Sequence, residues 1–304
     1  METECCPKIK FVDFWPDFQP AHNPLYDVLA AHFRAQLCED PDYLIYSVFG
    51  GEHLFNRRYD RCIKILWTGE SVRPNFSVCD YALSFDYLDD PRHLRWPLYA
   101  LAGQALVRPE VVDAEQLLAE KTGFCNFLYS NANGGTRIEF FRLLSEYKRV
   151  DSGGAVLNNI GRRIRNKLDW ISGYKFTIAF ENSSHDGYVT EKLSDPLSVY
   201  SVPIYWGSSR AAEDFDPSCF INCHACKDLR EVVERVATVD RDDELYKRYL
   251  RAPCFTNNVL NPCCRPEYLV AFFDKVFADK RPRNHEKPSL MEIVSNPGGW
   301  SVLS

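Results

Sequence analysis

The 304-residue chain contains no run of about 18 consecutive apolar residues, so no membrane-spanning helix is expected. Its opening, METECCPKIK, lacks the apolar core of a secretion signal. The expectation is a cytoplasmic chain, or a soluble piece of a longer one. Positive charge is also scarce: 36 Lys and Arg stand against 42 Asp and Glu, a formal net charge of -6 with a pI near 5.7. That balance argues against a generic nucleic-acid binder, which needs a basic surplus to neutralise phosphates. Any anionic ligand has to be met by a few local cations. No G-x-G-x-x-G follows an apolar run and no G-x-x-x-x-G-K-[ST] occurs, so neither the dinucleotide fingerprint nor a P-loop is present.

What is present is enough apolar material for a real core: 45% hydrophobic and 14% aromatic residues. The length suits two ordinary domains or one large one. Twelve cysteines are scattered until a late cluster at Cys219, Cys223, Cys226, Cys254, Cys263 and Cys264. Without a secretion signal most read as small apolar core residues. CHAC at 223–226 with the 263–264 pair also offers enough thiols for a structural zinc, or for a disulfide.

Apolar runs alternate with amphipathic stretches throughout. KIKFVDF, YLIYSVF, CIKILWTG and YALSF read as strands, and PLYDVLAAHF places Leu25, Val28, Leu29 and Phe33 on one helical face. After a loosely patterned region from about residue 100, the alternation resumes. FCNFLYS, KFTIAFE, VPIYWG and CFIN are expected strands; TRIEFFRLLSEY, LDWISGY, DLREVVERVATV and PEYLVAFFDKVFA are expected helices. This order predicts an α/β protein with mainly parallel sheets, its two halves facing across a cleft. The expected division is one α/β domain over 1–120, a second α/β domain over 121–262, and a C-terminal helix and tail over 263–304 that packs back on the first domain.

The stretch FENSSHDGYVTEKL, residues 180–193, links two of these strands and concentrates Glu181, Asn182, His185, Asp186, Tyr188, Glu191 and Lys192. Ligands of parallel sheets sit at the carboxyl ends of strands, where a helix N-terminus presents free N–H groups to an anion. Lys192 could add a full charge there, and Glu191 could accept two hydrogen bonds from a vicinal diol such as a ribose. Alternatively Glu191 and Lys192 are ordinary solvated helix charges. Pro196 predicts a helix that is short, bent after about Leu193, or restarted at the proline. The glycine pairs 134–135 and 153–154 read as turn punctuation or as close backbone approach to a ligand.

FENSSHDGYVTEKL followed by VPIYWGSS resembles the signature of the α1,3-fucosyltransferases. WTGESVRPNFSVCDYALSFDYL, LRWPLY, the TRIEFF segment and AEDFDPSCFIN resemble family segments in the same order, over roughly residues 8–275. The resemblance implies a GT-B-like fold of two Rossmann-like domains and a glycosyltransferase that moves L-fucose from GDP-fucose, with inversion. The implied acceptor is a GlcNAc hydroxyl of an N-acetyllactosamine-type glycan, giving an α1,3-linked, Lewis x-type product. Carried over by position, Glu70 in WTGES is the implied general base. Arg137 and Lys192 are the implied grip on the diphosphate, and Asn182, Tyr188 and Glu191, with Glu181 beside them, are implied donor contacts. A transferase using another nucleotide sugar, or a non-catalytic glycan- or nucleotide-binding protein on the same fold, are the alternatives. The family's heptad repeats are missing and only ADKRPRNHEKPSLMEIV is similar to its basic tail, so membrane association is expected to be at most peripheral, at the inner face.

The chemistry explains the residue types. An acceptor hydroxyl needs a carboxylate within about 3 Å to take its proton as it attacks, which contributes about 100-fold or more. The departing diphosphate gains negative charge, which two cations and helix N–H groups can stabilise without a metal. Asp214-Phe215-Asp216 could hold a divalent ion, but its place beside Pro217 suits turn capping better. No cofactor is therefore expected to be required, and a divalent cation at most stimulates. Among the tryptophans, Trp15 in DFWPDF is the candidate for stacking on an acceptor sugar.

Overall fold

Every expected strand of the first hundred residues forms, and all of them run parallel. The computed structural model describes residues 6–132 and 134–279. The stretch from Lys280 onward, Trp300 and Cys5 lie outside the described residues. Contacts divide the chain into one unit of Met1–Leu101 with Pro262–Ser304 and another of Ala102–Asn261.

In the first unit β1 (Lys8–Val12), β2 (Gln36–Leu37), β3 (Tyr43–Tyr46), β4 (Ile63–Trp67), β5 (Tyr81–Ser84) and β6 (His93–Arg95) form a parallel sheet of order β2-β1-β3-β4-β5-β6. Side chains alternate across it. Ile9, Ile45, Ile63 and Ile65 face one apolar layer, while Val12, Leu44, Leu66 and Ala82 face the other. Burial on both faces is why these strands read as unbroken apolar runs. Helix α1 (Pro24–Phe33) starts where the Asn23 side chain accepts from the Tyr26 N–H at 2.9 Å, with proline at its first position, and stops at Arg34 in the left-handed region. Its Leu25 and Leu29 are fully buried, each stabilising the unit by about 1.5–3 kcal/mol, and a short α2 (Glu52–Phe55) follows β3. The Pro266–Ala278 helix lays Leu269, Phe272, Phe273 and Val276 into the same layer, and the Tyr43 hydroxyl donates to the Phe277 carbonyl at 3.1 Å.

In the second unit β7 (Gly123–Phe127), β8 (Val150–Ser152), β9 (Tyr174–Phe180), β10 (Val202–Trp206) and β11 (Ile221–Asn222) pair in parallel in the order β11-β10-β9-β7-β8. Residues 102–120, expected with the first domain, pack here: α3 (Ala114–Ala119) buries Ala114 in this core because its apolar side meets this unit's helices. The 13-residue α4 (Gly135–Tyr147) buries Phe140 and Leu144. The remaining helices are α5 (Lys167–Ser172), α6 (Glu191–Ser198), α7 (Ala211–Asp214), α8 (Leu229–Arg241) and α9 (Asp243–Arg251). Helix α6 is short, as Pro196 requires, yet runs through the proline to Ser198. The proline lies in the last turn of an eight-residue helix, so it removes one backbone bond and no helix follows to be kinked.

Counted from its own first strand, each sheet has the order 2-1-3-4-5, extended by a sixth strand in the first unit. Such sheets open a crevice at the carboxyl ends of the strands where the order reverses. That switch point lies between β1 and β3 in the first unit, and between β7 and β9 in the second.

Candidate active site

At the switch point of the second unit, β7 runs into Leu128, Tyr129, Ser130 and Asn131, and β9 into Glu181 and Asn182. Between them lies a pocket of about 200 Å³. Its walls include Asn131, Arg137, Lys167, Asn182, Glu191 and Lys192.

Arg137 stands in the first turn of α4 and is 1% exposed. Its Nη1 donates to Asn182 Oδ1 and its Nη2 to the Asn131 carbonyl, both at 2.8 Å, and the guanidinium lies 4.6 Å from the Tyr129 ring centre. Tyr129 is anchored in turn, its hydroxyl oxygen accepting from the Phe180 N–H at 2.7 Å. The Nε of Arg137 is buried without a hydrogen-bond partner. A Cβ at Gly134 would stand 2.1 Å from that Nε, and one at Gly154 2.2 Å from the Tyr129 carbonyl oxygen. Both glycines therefore make room for protein groups.

The other wall is built on a buried carboxylate. Glu181 Oε1 accepts from the Thr190 N–H at 2.8 Å and from its hydroxyl at 3.0 Å, and Oε2 lies 3.2 Å from Lys192 Nζ. Thr190 caps α6, placing Glu191 and Lys192 in the first turn, with Lys192 Nζ 3.4 Å from Glu191 Oε1. Burial raises the Glu181 pKa, opposed by the charge of Lys192. Burial alone would lower Lys192, but the charges of Glu181 and Glu191 outweigh it and the net shift is upward. Lys192 is therefore a fixed cation at neutral pH. Glu191 is held below its usual range: burial opposes ionisation, but Lys192 and Lys167 outweigh it.

Four of the residues singled out in the sequence, Arg137, Asn182, Glu191 and Lys192, thus share one pocket. Glu181 stands behind it, holding Thr190 and Lys192 in place. The Tyr188 side chain is buried, the residue being 2% exposed, and its carbonyl accepts from the Tyr205 hydroxyl at 3.2 Å. Sequence reasoning passed over Tyr129, Asn131 and Lys167. A strand ending in Tyr-Ser-Asn and a lysine opening a short helix were the only signals for them.

In the first unit Glu70 follows β4 through Thr68 and Gly69 and is exposed, its N–H donating to Thr68 Oγ1 at 3.0 Å. On the same edge of the sheet stands an aromatic group: Phe14 and Phe18 stack at 4.0 Å, Trp67 lies 5.4 Å from Phe14, and Trp15 lies 6.0 Å from Phe49. Trp15 and Phe49 are 46% and 50% exposed, a large apolar surface at that unit's own switch point. The turn beneath is held by Asp13, in the left-handed region at φ 59, whose carboxylate accepts from the N–H groups of Glu52 and His53 at 2.8 and 3.0 Å.

Within the second unit Cys219 and Cys254 stand together, the Cys219 thiol 3.9 Å from the Cys254 carbonyl. Cys219, Cys223, Cys226 and Cys254 belong to the second unit, and Cys263 and Cys264 to the first. His224 of CHAC faces the Gly207 carbonyl at 2.8 Å, and no group of three or more potential metal ligands occurs among the described residues. Asp216 caps a turn, accepting from the Ser218 N–H at 2.9 Å, as its neighbouring proline suggested. Among the described residues no helix is long and apolar enough to cross a membrane.

Two parallel-sheet units, one with a cationic pocket at its switch point, have the architecture of the GT-B type. Residues 9–102 match the family model of the alpha-(1,3)-fucosyltransferase FucT N-terminal domain, and residues 118–253 that of the glycosyltransferase family 10 (fucosyltransferase) C-terminal region. The chain belongs to the α1,3-fucosyltransferase family. It is 31% identical over 268 residues to alpha-(1,3)-fucosyltransferase FucT of Helicobacter pylori, covering 75% of this chain and 56% of that protein. A bovine 3-galactosyl-N-acetylglucosaminide 4-alpha-L-fucosyltransferase is 31% identical over 138 residues, 44% of this chain and 37% of that one. The chain thus spans only about half the length of such curated relatives. Among solved structures, an alpha1,3-fucosyltransferase with GDP-fucose superposes with a TM-score of 0.75 at 28% identity, over 92% of both chains. Another alpha1,3-fucosyltransferase structure gives 0.79 at 28% identity, over 95% of both.

Proposed function

We propose that the chain transfers L-fucose from GDP-fucose to a GlcNAc hydroxyl of an N-acetyllactosamine-type glycan, in α1,3 linkage and with inversion. The observation that carries this is the pocket between β7 and β9, where Arg137 and Lys192 present fixed positive charge beside the ionised Glu191. Arg137 and Lys192 suit a diphosphate, and Glu191 suits the paired hydroxyls of a ribose. The solved relative that carries GDP-fucose supports the same choice of donor.

In this reading the acceptor oxygen attacks the anomeric carbon, the bond from that carbon to the diphosphate breaks, and the acceptor proton passes to Glu70. The leaving GDP keeps the bonding electron pair, and Arg137 and Lys192 stabilise the charge it gains. Glu181 acts through Lys192 and Thr190 as a positioning residue, and Asn182 orients Arg137. Tyr188 supports the loop from within the core. Trp15 and Phe49 offer the apolar face on which an acceptor sugar can stack. With two fixed cations in place no divalent ion is required, so transfer continues in a chelator, and an added cation at most stimulates. In this reading the protein is cytoplasmic and at most peripheral to the inner face of a membrane.

The test is incubation with GDP-fucose and type 1 and type 2 disaccharides, with linkage analysis of the product. An α1,3-fucosylated type 2 product is expected. Transfer only from a different nucleotide sugar, or no transfer despite GDP binding, would overturn the reading.

A further inference from the structure

The strongest concentration of positive charge on this acidic chain lies outside the groups assigned so far. The loop from β8 to α5 carries Arg162, Arg163 and Arg165, and Lys167 opens α5, so four cations fall within six residues. The three arginines are exposed, and no carboxylate pairs with any of them among the described residues. Cations elsewhere are commonly matched, as in Arg92 with Asp90, Arg149 with Asp151 and Arg210 with Glu213.

The loop is held in one shape. The Asn158 amide donates to the carbonyls of Gly154 and Arg162, both at 2.9 Å, while its oxygen accepts from the Gly161 N–H at 3.1 Å. Asn159 ties the loop back to β8, donating to the Val150 carbonyl at 2.9 Å and accepting from the Ser152 N–H at 2.8 Å. Gly161, at φ +71, takes a left-handed turn that other residues rarely adopt. Such a frame presents like charges side by side, an arrangement that costs repulsion unless an anion meets it. Lys167 connects the loop to the pocket: it lines the wall, its Nζ lies 2.7 Å from Asp195 Oδ2, and its charge helps hold Glu191 ionised.

We propose that Arg162, Arg163 and Arg165 form a cationic approach to the pocket that draws in and retains a diphosphate-bearing ligand. This rests on the nucleotide-sugar reading of the pocket. A chain of net charge -6 repels a multiply charged donor at long range, and a local cluster of one sign, ending two residues before Lys167 of the pocket wall, opposes that repulsion. Arg137 and Lys192 hold the bound diphosphate; the loop acts on its arrival and residence.

The test is calorimetry with GDP on the wild type, on the triple variant Arg162→Gln/Arg163→Gln/Arg165→Gln, and on the triple lysine variant at the same positions. At an ionic strength of about 0.01 M the glutamine variant should bind GDP roughly 10-fold more weakly. The gap should close toward about 0.15 M, where screening shortens the reach of charge. The lysine variant should bind like the wild type, and guanosine, without phosphates, should bind all three alike. Equal GDP affinity of wild type and glutamine variant at low salt would overturn the loop's role while leaving the pocket reading intact. No GDP binding by the wild type would overturn the pocket reading instead. Loss of binding to phosphatidylserine vesicles with unchanged GDP affinity would assign the loop to an acidic surface and overturn the proposal.

Discussion

The two units share a strand order and differ in what they place at its switch point. In the second, charged and amide groups line a pocket whose cations are locked by a buried carboxylate and a tyrosine ring. In the first, exposed aromatic rings share the strand-end edge with a single candidate base, Glu70. One scaffold therefore presents two kinds of surface, to which the proposed function gives two kinds of ligand. Fixed charge suits a diphosphate, which changes charge during reaction, and flat apolar faces suit a sugar ring, which does not.

Substitutions that separate the two roles would sharpen this contrast, and substitutions that mix them would break it. The largest effect is expected for Glu70→Gln, which should lower turnover by about 100-fold or more in a steady-state assay. Wild-type turnover in that variant would remove Glu70 from the mechanism. Lys192→Ala removes a charge-assisted contact and should weaken GDP by about 10- to 100-fold. Unchanged affinity would place the diphosphate elsewhere. Trp15→Ala should raise the acceptor KM by roughly 3- to 10-fold, in keeping with the modest energy of aromatic contacts, and leave GDP binding alone. A shifted GDP affinity instead would dissolve the division of labour.

The smallest effect concerns acid. His93, on β6, faces the Ser84 hydroxyl at 2.9 Å, and burial, with Arg95 nearby, lowers its pKa from 6.5 to about 4. The unfolded chain therefore takes up this proton first. Stability due to neutral His93 is complete above pH 6.5 and is lost as the pH falls toward 4, by about 1 kcal/mol after allowance for partial exposure. The His93 ring resonances should show no protonation shift at pH 5.5, and a titration midpoint near 6.5 would contradict this.

Much of the fold was legible because parallel strands buried on both faces are written as apolar runs; β1, β3, β4, β9 and β10 all appear that way. Helix α1 was equally plain, from the helical spacing of Leu25, Val28, Leu29 and Phe33. Helix α9 escaped notice because Asp, Glu, Lys and Arg surround its buried Tyr246, Tyr249 and Leu250. The site was legible where charge stands at a helix start, as at Arg137 and Lys192. The support of Arg137 by Tyr129 and Asn131 depends on β7 ending beside β9, a pairing that residue order does not display. Asp13 likewise reads as an ordinary acidic residue until its left-handed backbone and its bonds to Glu52 and His53 are seen.

In the proposed function, donor binding belongs to the second unit and proton removal to the first. Calorimetry with GDP on Glu70→Gln and Lys192→Ala side by side tests it most directly. Glu70→Gln should keep wild-type affinity, and Lys192→Ala should lose about 10-fold or more. The opposite pattern, or equal losses in both, would contradict it.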